Sequence, residues 1–74
     1  LNNSLLFRCD VNGNIMTLSN LVKGAQIDVY DMRGILHQHI VASDAVMQIS
    51  LPTRNIYILK ITDNKQTTHG KVVM

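Results

Sequence analysis

Two histidines, His37 and His39, have the spacing in this sequence that best suits metal binding. Alternate residues of a β-strand point to the same side, so the two imidazoles would share one face. His69 or an aspartate would have to supply a third ligand, because zinc sites use three or four ligands in a set geometry. The ordinary interpretation of the pair is two solvent-facing side chains. We adopt it and expect no metal.

The residues for nucleophilic or acid–base catalysis are also sparse. Ser43 and Asp44 could join a histidine in a Ser-His-Asp arrangement, but no Gly-x-Ser-x-Gly turn presents the serine. The sequence contains no glutamate, which leaves little material for a carboxylate pair, and it has no glycine-rich phosphate loop. Cys9 is the only cysteine, so it has no partner for an internal disulfide. We therefore expect neither catalysis nor a cofactor.

Short β-strands would have to position these residues, and the clearest pair forms a hairpin around Asp31 and Gly34. Ile27 and Val29 alternate with polar neighbours, the period of two that sends one row of side chains to a core. Aspartate favours the first position of a type I turn, and glycine supplies the left-handed residue of the accompanying bulge. The return strand is predicted over residues 35–41.

Five further strands and the turn signals between them complete an all-β pattern. Asn12-Gly13 and Asp63-Asn64 predict tight turns, and Pro52 ends a strand. The sixth strand is almost continuously apolar, so it should be central and covered on both faces. The seven predicted strands are residues 4–8, 14–18, 26–30, 35–41, 46–51, 56–61 and 66–73. Their regular spacing predicts one antiparallel β-sandwich domain over residues 1–74.

A core for such a sandwich is available in a chain of 74 residues that is 46% hydrophobic. A chain of this size buries only about 60% of the surface that it exposes when unfolded, so the core is small. The side chains predicted to form it are Met16, Leu18, Leu21, Ile27, Val29, Leu36, Ile40, Met47, Ile49, Leu51, Tyr57, Leu59, Ile61 and Val72.

Charge and hydropathy exclude some partners. The net charge is +2, but the seven basic residues are dispersed and few aromatic side chains accompany them. Nucleic-acid-binding domains concentrate basic residues on one face, so we expect no nucleic-acid partner. The sequence lacks the run of about 20 apolar residues that a transmembrane helix needs. It starts at Leu1, and we expect that it was excised from a longer protein.

Several short motifs occur in a recognisable order along most of the chain. They are Met16-Thr17-Leu18-Ser19-Asn20-Leu21, Val29-Tyr30-Asp31-Met32-Arg33-Gly34, Leu51-Pro52, Ile56-Tyr57-Ile58-Leu59-Lys60-Ile61 and Lys71-Val72-Val73. In order and spacing the sequence resembles the type A form of the C-terminal sorting domain of the type IX secretion system, which is found on exported proteins of Bacteroidetes. In one departure, Asn55 stands where that family usually has glycine. Asparagine tolerates left-handed geometry, so the bend should survive with some strain.

The resemblance implies a seven-stranded Ig-like sandwich that follows a cargo domain and acts as its export signal, without catalysis. The implied partners are the outer-membrane type IX machinery and a surface sortase. The protein would pass through the periplasm and then reach the outer-membrane surface or be secreted. The recognition residues that the resemblance implies are Tyr30, Asp31, Gly34, Tyr57, Lys60, Lys71, Val72 and Val73.

The last strand, residues 66–73, offers a physical basis for recognition. Edge strands of a sandwich carry unpaired amides and carbonyls that can accept another strand, and Lys71 would discourage unwanted pairing. We hypothesise that the export machinery contacts this strand and the hairpin tip. The same edge allows strand exchange between two copies, giving a domain-swapped homodimer at high concentration. The alternative function is an Ig-like stalk or adhesive module of a surface protein.

Overall fold

The computed structural model describes residues 7–64 and 66–74, which form two antiparallel β-sheets and no helix. The strands are β1 (Arg8–Asn12), β2 (Ile15–Ser19), β3 (Gln26–Asp31), β4 (Leu36–Val41), β5 (Met47–Ser50), β6 (Ile56–Asp63) and β7 (Gln66–Val73). One sheet has the order β1–β2–β5 and the other the order β4–β3–β6–β7. The predicted seven-stranded antiparallel β-sandwich is confirmed over these residues. Within the same ranges, no helix has the length and apolar character needed to cross a membrane.

The core lies between the two sheets and follows the period of two in each strand. Met16 and Leu18 of β2 face inward from one sheet, and Ile27 and Val29 of β3 face inward from the other; all four side chains are fully buried. Of the predicted core, Ile40 and Met47 are only partly buried at its margin. The buried apolar residues are Met16, Leu18, Leu21, Ala25, Ile27, Val29, Ala42, Ile49, Leu51, Tyr57, Leu59, Ile61 and Val72.

Leu36 was predicted to lie in the core, and that prediction was wrong. Val29 pairs with Gln38, but Tyr30 pairs with Leu36, so His37 is an extra residue in β4. Such a bulge reverses the alternation on its strand. Leu36 therefore lies opposite outward-facing Tyr30, and it is 48% exposed.

Two turns are shifted by one residue from their predicted positions. Asn12 pairs with Ile15, so the residues between β1 and β2 are Gly13 and Asn14, and Gly13 has φ +64°. Positive φ at the first of two loop positions suits glycine. Asp63 pairs with Gln66, and Asn64 between them has φ +50°, which places it inside the turn.

Two predictions about strands also need correction. Residues 4–6 of the first predicted strand, 4–8, lie outside the described residues; the strand that is described begins at Arg8 and continues to Asn12. β6 is central, as predicted, but only its inner face is buried. Its other face is half-buried, because no third layer covers it in the described structure.

The position of β4 gives the second sheet its width. In constant-type immunoglobulin domains the fourth strand belongs to the sheet of the first, second and fifth strands. Here β4 pairs with β3, so four strands form one continuous outer face, with β4 and β7 at its edges. The prediction that the last strand lies at a sheet edge is confirmed.

Candidate interaction surface

The outer faces of the two sheets differ in character. On the three-stranded sheet, the residues that alternate with the core are mostly polar: Arg8, Asp10, Asn12, Ile15, Thr17, Ser19, Gln48 and Ser50. On the four-stranded sheet, the corresponding positions are rich in apolar and basic side chains. This second face is the candidate interaction surface.

An apolar row crosses the four-stranded sheet at its outer face. Leu36 lies opposite Tyr30, Tyr30 opposite Ile58, and Ile58 opposite Lys71. Directly opposed side chains in an antiparallel pair have Cβ atoms about 4.5–5.5 Å apart, so these residues are neighbours across four strands. Val73 lies two residues beyond Lys71 on β7 and is 67% exposed. On β7 the row therefore ends in the exposed apolar side chain of Val73 and the ammonium group of Lys71.

A charged row runs beside the apolar one. His39 lies opposite Asp28, Asp28 opposite Lys60, and Lys60 opposite His69. His39 Nδ1 donates a hydrogen bond of 2.5 Å to Asp28 Oδ1, so this carboxylate already has a partner. Among residues 7–64 and 66–74, no carboxylate forms an ion pair with Lys60 or Lys71. The β6–β7 side of the face therefore carries two lysine ammonium groups: Lys60 lies opposite Asp28, and Lys71 lies opposite apolar Ile58.

We name this part of the sheet the basic–apolar face, formed by Tyr30, Ile58, Lys60, His69, Lys71 and Val73. Four of the eight residues implied by the sequence resemblance belong to it: Tyr30, Lys60, Lys71 and Val73. They come from three strands and are up to 43 positions apart in the sequence (73 − 30 = 43). The remaining four lie elsewhere: Asp31 and Gly34 in the β3–β4 turn, and Tyr57 and Val72 in the core.

Asp31 organises the β3–β4 turn through both oxygens of its carboxylate. Oδ1 accepts hydrogen bonds from the backbone amides of Arg33 (2.8 Å) and Ile35 (3.1 Å). Oδ2 accepts hydrogen bonds from His37 Nε2 and the Arg33 guanidinium, each at 2.9 Å. The hydrogen bond from His37, followed by those from Arg33 and Ile35, holds the pKa of Asp31 well below its usual range, although burial opposes the shift. Asp31 is therefore a buried, ionised anchor of the turn.

Gly34 completes the turn in the predicted way. Its amide donates to the Asp31 carbonyl oxygen at 3.0 Å, and its φ is +86°, a conformation that costs side-chain-bearing residues energy. Met32 at the tip is 60% exposed, and Ile35 is also exposed. The turn presents apolar side chains at the end of the sheet where Tyr30 and Ile58 lie.

Tyr57 and Val72 are buried and are paired with each other across β6 and β7. The Tyr57 hydroxyl donates a 2.8 Å hydrogen bond to the Thr53 carbonyl oxygen, four residues upstream. A tyrosine that bonds back in this way at the start of the sixth strand is a recurrent feature of Ig-like sandwiches. In the folded domain, both residues support the strands that carry the basic–apolar face, and neither offers its own surface.

The prediction that His37 and His39 share a face is wrong, because His37 is the extra residue of the bulge in β4. His37 turns toward Asp31 and meets the Tyr57 ring edge-on, with centroids 5.6 Å apart. His39 projects from the outer face toward Asp28. In the described ranges, no group of at least three His, Cys, Asp or Glu side chains could hold a metal ion.

The strain predicted at Asn55 is also absent, since positive φ among the described non-glycine residues occurs only at Asn20 and Asn64. Asn55 instead makes local bonds. Its side-chain oxygen accepts a hydrogen bond from the amide of Ile56 at 2.8 Å, and its carbonyl oxygen accepts one from Met74 at 3.0 Å. This position therefore needs no glycine.

Cys9 is partly buried at the margin of the core. Burial raises the pKa of its thiol, and the negative charge of Asp10 adds to that shift. The thiol is therefore protonated at neutral pH, which makes it a weak nucleophile.

No protein-family model matches the sequence, and comparison with curated proteins and with solved structures found no match. The function must therefore be argued from the residues themselves. Sequence reasoning missed Asp28, Ile58 and His69 as members of an interaction surface. Alternation alone could have placed them on outward sides, but their neighbours depend on strand pairing.

Proposed function

We propose that this domain is an export signal that follows a cargo protein and directs it through the type IX secretion system across the outer membrane. It acts as a folded recognition element and carries no catalytic step. The machinery at the outer membrane would bind the domain in the periplasm. A surface sortase would then remove it as the cargo is released or anchored at the cell surface.

One observation carries the proposal. Residues that the sequence resemblance implies for recognition, Tyr30, Lys60, Lys71 and Val73, are distant in sequence but share the basic–apolar face. These outward side chains do not contribute to the core, so packing does not explain their grouping. Solubility does not explain it either, because a lysine improves solubility at any exposed position. Large exposed apolar patches on soluble domains commonly mark interaction sites. The grouping of Tyr30, Lys60, Lys71 and Val73 on one face therefore supports a role in binding another protein.

A reporter fusion tests the export function directly. Residues 1–74 are placed behind a periplasmic reporter in a strain that has the type IX machinery and in a matched strain that lacks it. We expect the reporter in the medium or on the cell surface only when the machinery is present. Retention in the periplasm of both strains would contradict the proposal and would favour the stalk or adhesive alternative.

A second experiment tests whether the basic–apolar face carries the signal. Deleting residues 71–74 would also remove buried Val72 and the Met74–Asn55 hydrogen bond, so it would confound recognition with folding. Lys71→Gln removes one charge from the face and leaves the core intact. Gln48→Glu is the matched control, because it changes the net charge by the same amount on the opposite sheet.

We expect Lys71→Gln to reduce the exported fraction of a stable fusion, and the double variant with Lys60→Gln to reduce it further. Gln48→Glu should export normally. Equal export by all of these variants, with unchanged melting temperatures, would show that recognition does not use this face.

A further inference from the structure

The edges of the two sheets are protected to different degrees. β5 has four residues and is soon followed by Pro52, and β4 is interrupted by the bulge at His37. Short strands, prolines and bulges are devices by which proteins prevent pairing at a sheet edge. β7 has eight residues and pairs with β6 in continuous register from Gln66 to Val73. Of the strands described, it offers the longest regular edge of the four-stranded sheet.

The phase of the β6–β7 ladder identifies the backbone groups at this edge. The Met74 amide donates to the Asn55 carbonyl oxygen at 3.0 Å, one step beyond the Ile56–Val73 pair. Hydrogen-bonded and non-hydrogen-bonded pairs alternate in an antiparallel ladder. The amides and carbonyls that point away from β6 are therefore those of Thr67, His69, Lys71 and Val73. Each of them could bond to a further strand.

The side chains of the same residues lie on the outer face of the sheet. Lys71 and His69 stand two residues apart, and Lys60 lies opposite His69 on β6. The one carboxylate of this charged row, Asp28, is hydrogen-bonded to His39. An added strand would thus place its outward side chains beside Lys71 and His69, with Lys60 one strand further away and exposed Val73 at one end.

Charge decides which occupant this edge favours. If a second copy paired antiparallel with β7 around Gly70, Lys71 of each chain would lie opposite His69 of the other, which makes the two lysines diagonal neighbours on one face. Like charges this close together destabilise the pairing of the two strands. An acidic strand would place carboxylates at the same positions and gain from each contact. The lysine that blocks self-pairing would then select the partner.

We propose that β7 binds an extended, acidic segment of a partner polypeptide as a fifth strand of the four-stranded sheet. Glutamate or aspartate side chains of that segment lie beside Lys71 and His69, and an apolar side chain packs beside Val73. This inference rests on the proposed export function, because it specifies the chemistry of the segment that a receptor would offer. Its test needs no secretion and can fail separately.

The test uses the full 74-residue chain and synthetic peptides with blocked ends. One eight-residue peptide alternates glutamate with valine and threonine, and its counterpart has lysine in place of glutamate. Each peptide is titrated into the ¹⁵N-labelled chain while amide shifts are recorded by NMR. Vesicles of anionic phospholipid provide a third arm, because a basic surface could also bind a membrane.

We expect the glutamate peptide to bind about tenfold or more tightly than the lysine peptide, with affinity that falls as salt is added. The largest shifts should occur at the amides of Thr67, His69, Lys71 and Val73. Lys71→Glu should weaken binding about tenfold, whereas Gln48→Glu should change it little. His69→Pro removes one edge donor without removing a β6–β7 bond and should also weaken binding.

Several outcomes would overturn the inference. They are equal affinity for both peptides, no binding at millimolar peptide, shifts centred on β4 or the three-stranded sheet, or Lys71-dependent binding to vesicles alone. A dimer joined through β7 at the concentrations used would do so as well. If the acidic peptide binds but the reporter fusion is not exported, the export function fails and this inference stands. If the reporter fusion is exported but the acidic peptide does not bind, the export function stands and this inference fails.

Discussion

The two hairpins of the four-stranded sheet close their ends in different ways. The β3–β4 hairpin has a longer turn in which the Asp31 carboxylate holds backbone amides and two side chains, and a bulge at His37 bends its edge strand. The β6–β7 hairpin closes directly at the Asp63–Gln66 pair, and its ladder continues without interruption to Val73. One edge is shaped by local side-chain bonds, and the other is left regular.

A small sheet can therefore use one edge for stability and keep the other edge for recognition. The bulge and the buried carboxylate make β4 a poor template for another strand. β7 keeps a regular edge, and its outward side chains, Lys71 above all, select the strand that pairs there. Because both hairpins pack on the same core, a core substitution should weaken both of them. A substitution in one turn or at one edge should weaken only one hairpin.

The largest effect is expected where both hairpins share a support. Leu59 is fully buried in β6, the strand between β3 and β7. Leu59→Ala should lower the free energy of unfolding by about 2–5 kcal/mol, because a cavity adds to the lost transfer energy. Urea denaturation followed by circular dichroism measures the change. A melting temperature equal to that of the parent would show that Leu59 is not a core residue.

A substitution at Gly70 should weaken the β6–β7 hairpin selectively. A Cβ atom at this position would lie 3.1 Å from Cζ of Phe7, whose ring packs against the inner side of β7. Gly70→Val should therefore cost about 1–3 kcal/mol through overpacking. Phe7→Ala removes the clash, so the double variant should lose less than the sum of the two single variants. Strict additivity would contradict this contact.

Asp31→Asn should weaken the β3–β4 hairpin selectively and change its response to acid. The pKa of Asp31 is lowered in the folded state, so the carboxylate contributes stability above about pH 4, the pKa of an unfolded aspartate. That contribution is lost as the pH falls from there through the folded-state pKa. The variant should be less stable than the parent at pH 7, and the difference should shrink by pH 2.

Urea denaturation at both pH values measures that difference, and hydrogen exchange locates it. Faster exchange should be confined to β4 and the turn, with β7 unchanged. A stability gap that stayed constant between pH 7 and pH 2 would contradict an ionised anchor.

The smallest effect is expected at the bend before β6. Tyr57→Phe removes the hydroxyl that donates to the Thr53 carbonyl and keeps the buried ring, so it should cost about 0.5–1.5 kcal/mol. Its edge-on contact with His37 should be retained. Calorimetric melting of the two proteins measures the cost. A more stable variant would mean that the hydrogen bond contributes nothing net.

Much of the fold could be predicted from local patterns. Alternation located the inward residues of β2 and β3, and the Asp31–Gly34 signal located the central turn, because both depend on neighbours in sequence. The outward direction of Leu36 could not be predicted, since a bulge is one inserted residue in an otherwise regular pattern. Ala25 and Ala42, which are buried where Ala42 donates to the Ala25 carbonyl, carry no strong hydrophobic signal.

The candidate surface could likewise be predicted only in part from the sequence. The sequence resemblance implied eight residues, and their outward or inward direction followed for those in regular strands. It could not show that Ile58 and His69 stand beside them, because neighbours across a sheet depend on which strands pair and in what register. Tyr57 illustrates the limit: a tyrosine in an apolar strand suits either a binding surface or a core, and only burial distinguishes the two roles.

The amino-acid sequence by itself determined that this chain forms short antiparallel strands with one apolar side, and where most of its turns lie. These properties come from side-chain alternation and local backbone preferences, which act over a few residues. Only the tertiary structure decided that β4 joins β3, that the bulge turns His37 toward Asp31 and that Lys60, His69 and Lys71 lie together beside a regular edge. Those outcomes depend on pairing between strands that are distant in sequence. The register of that pairing is set by the burial of apolar side chains from all the strands together.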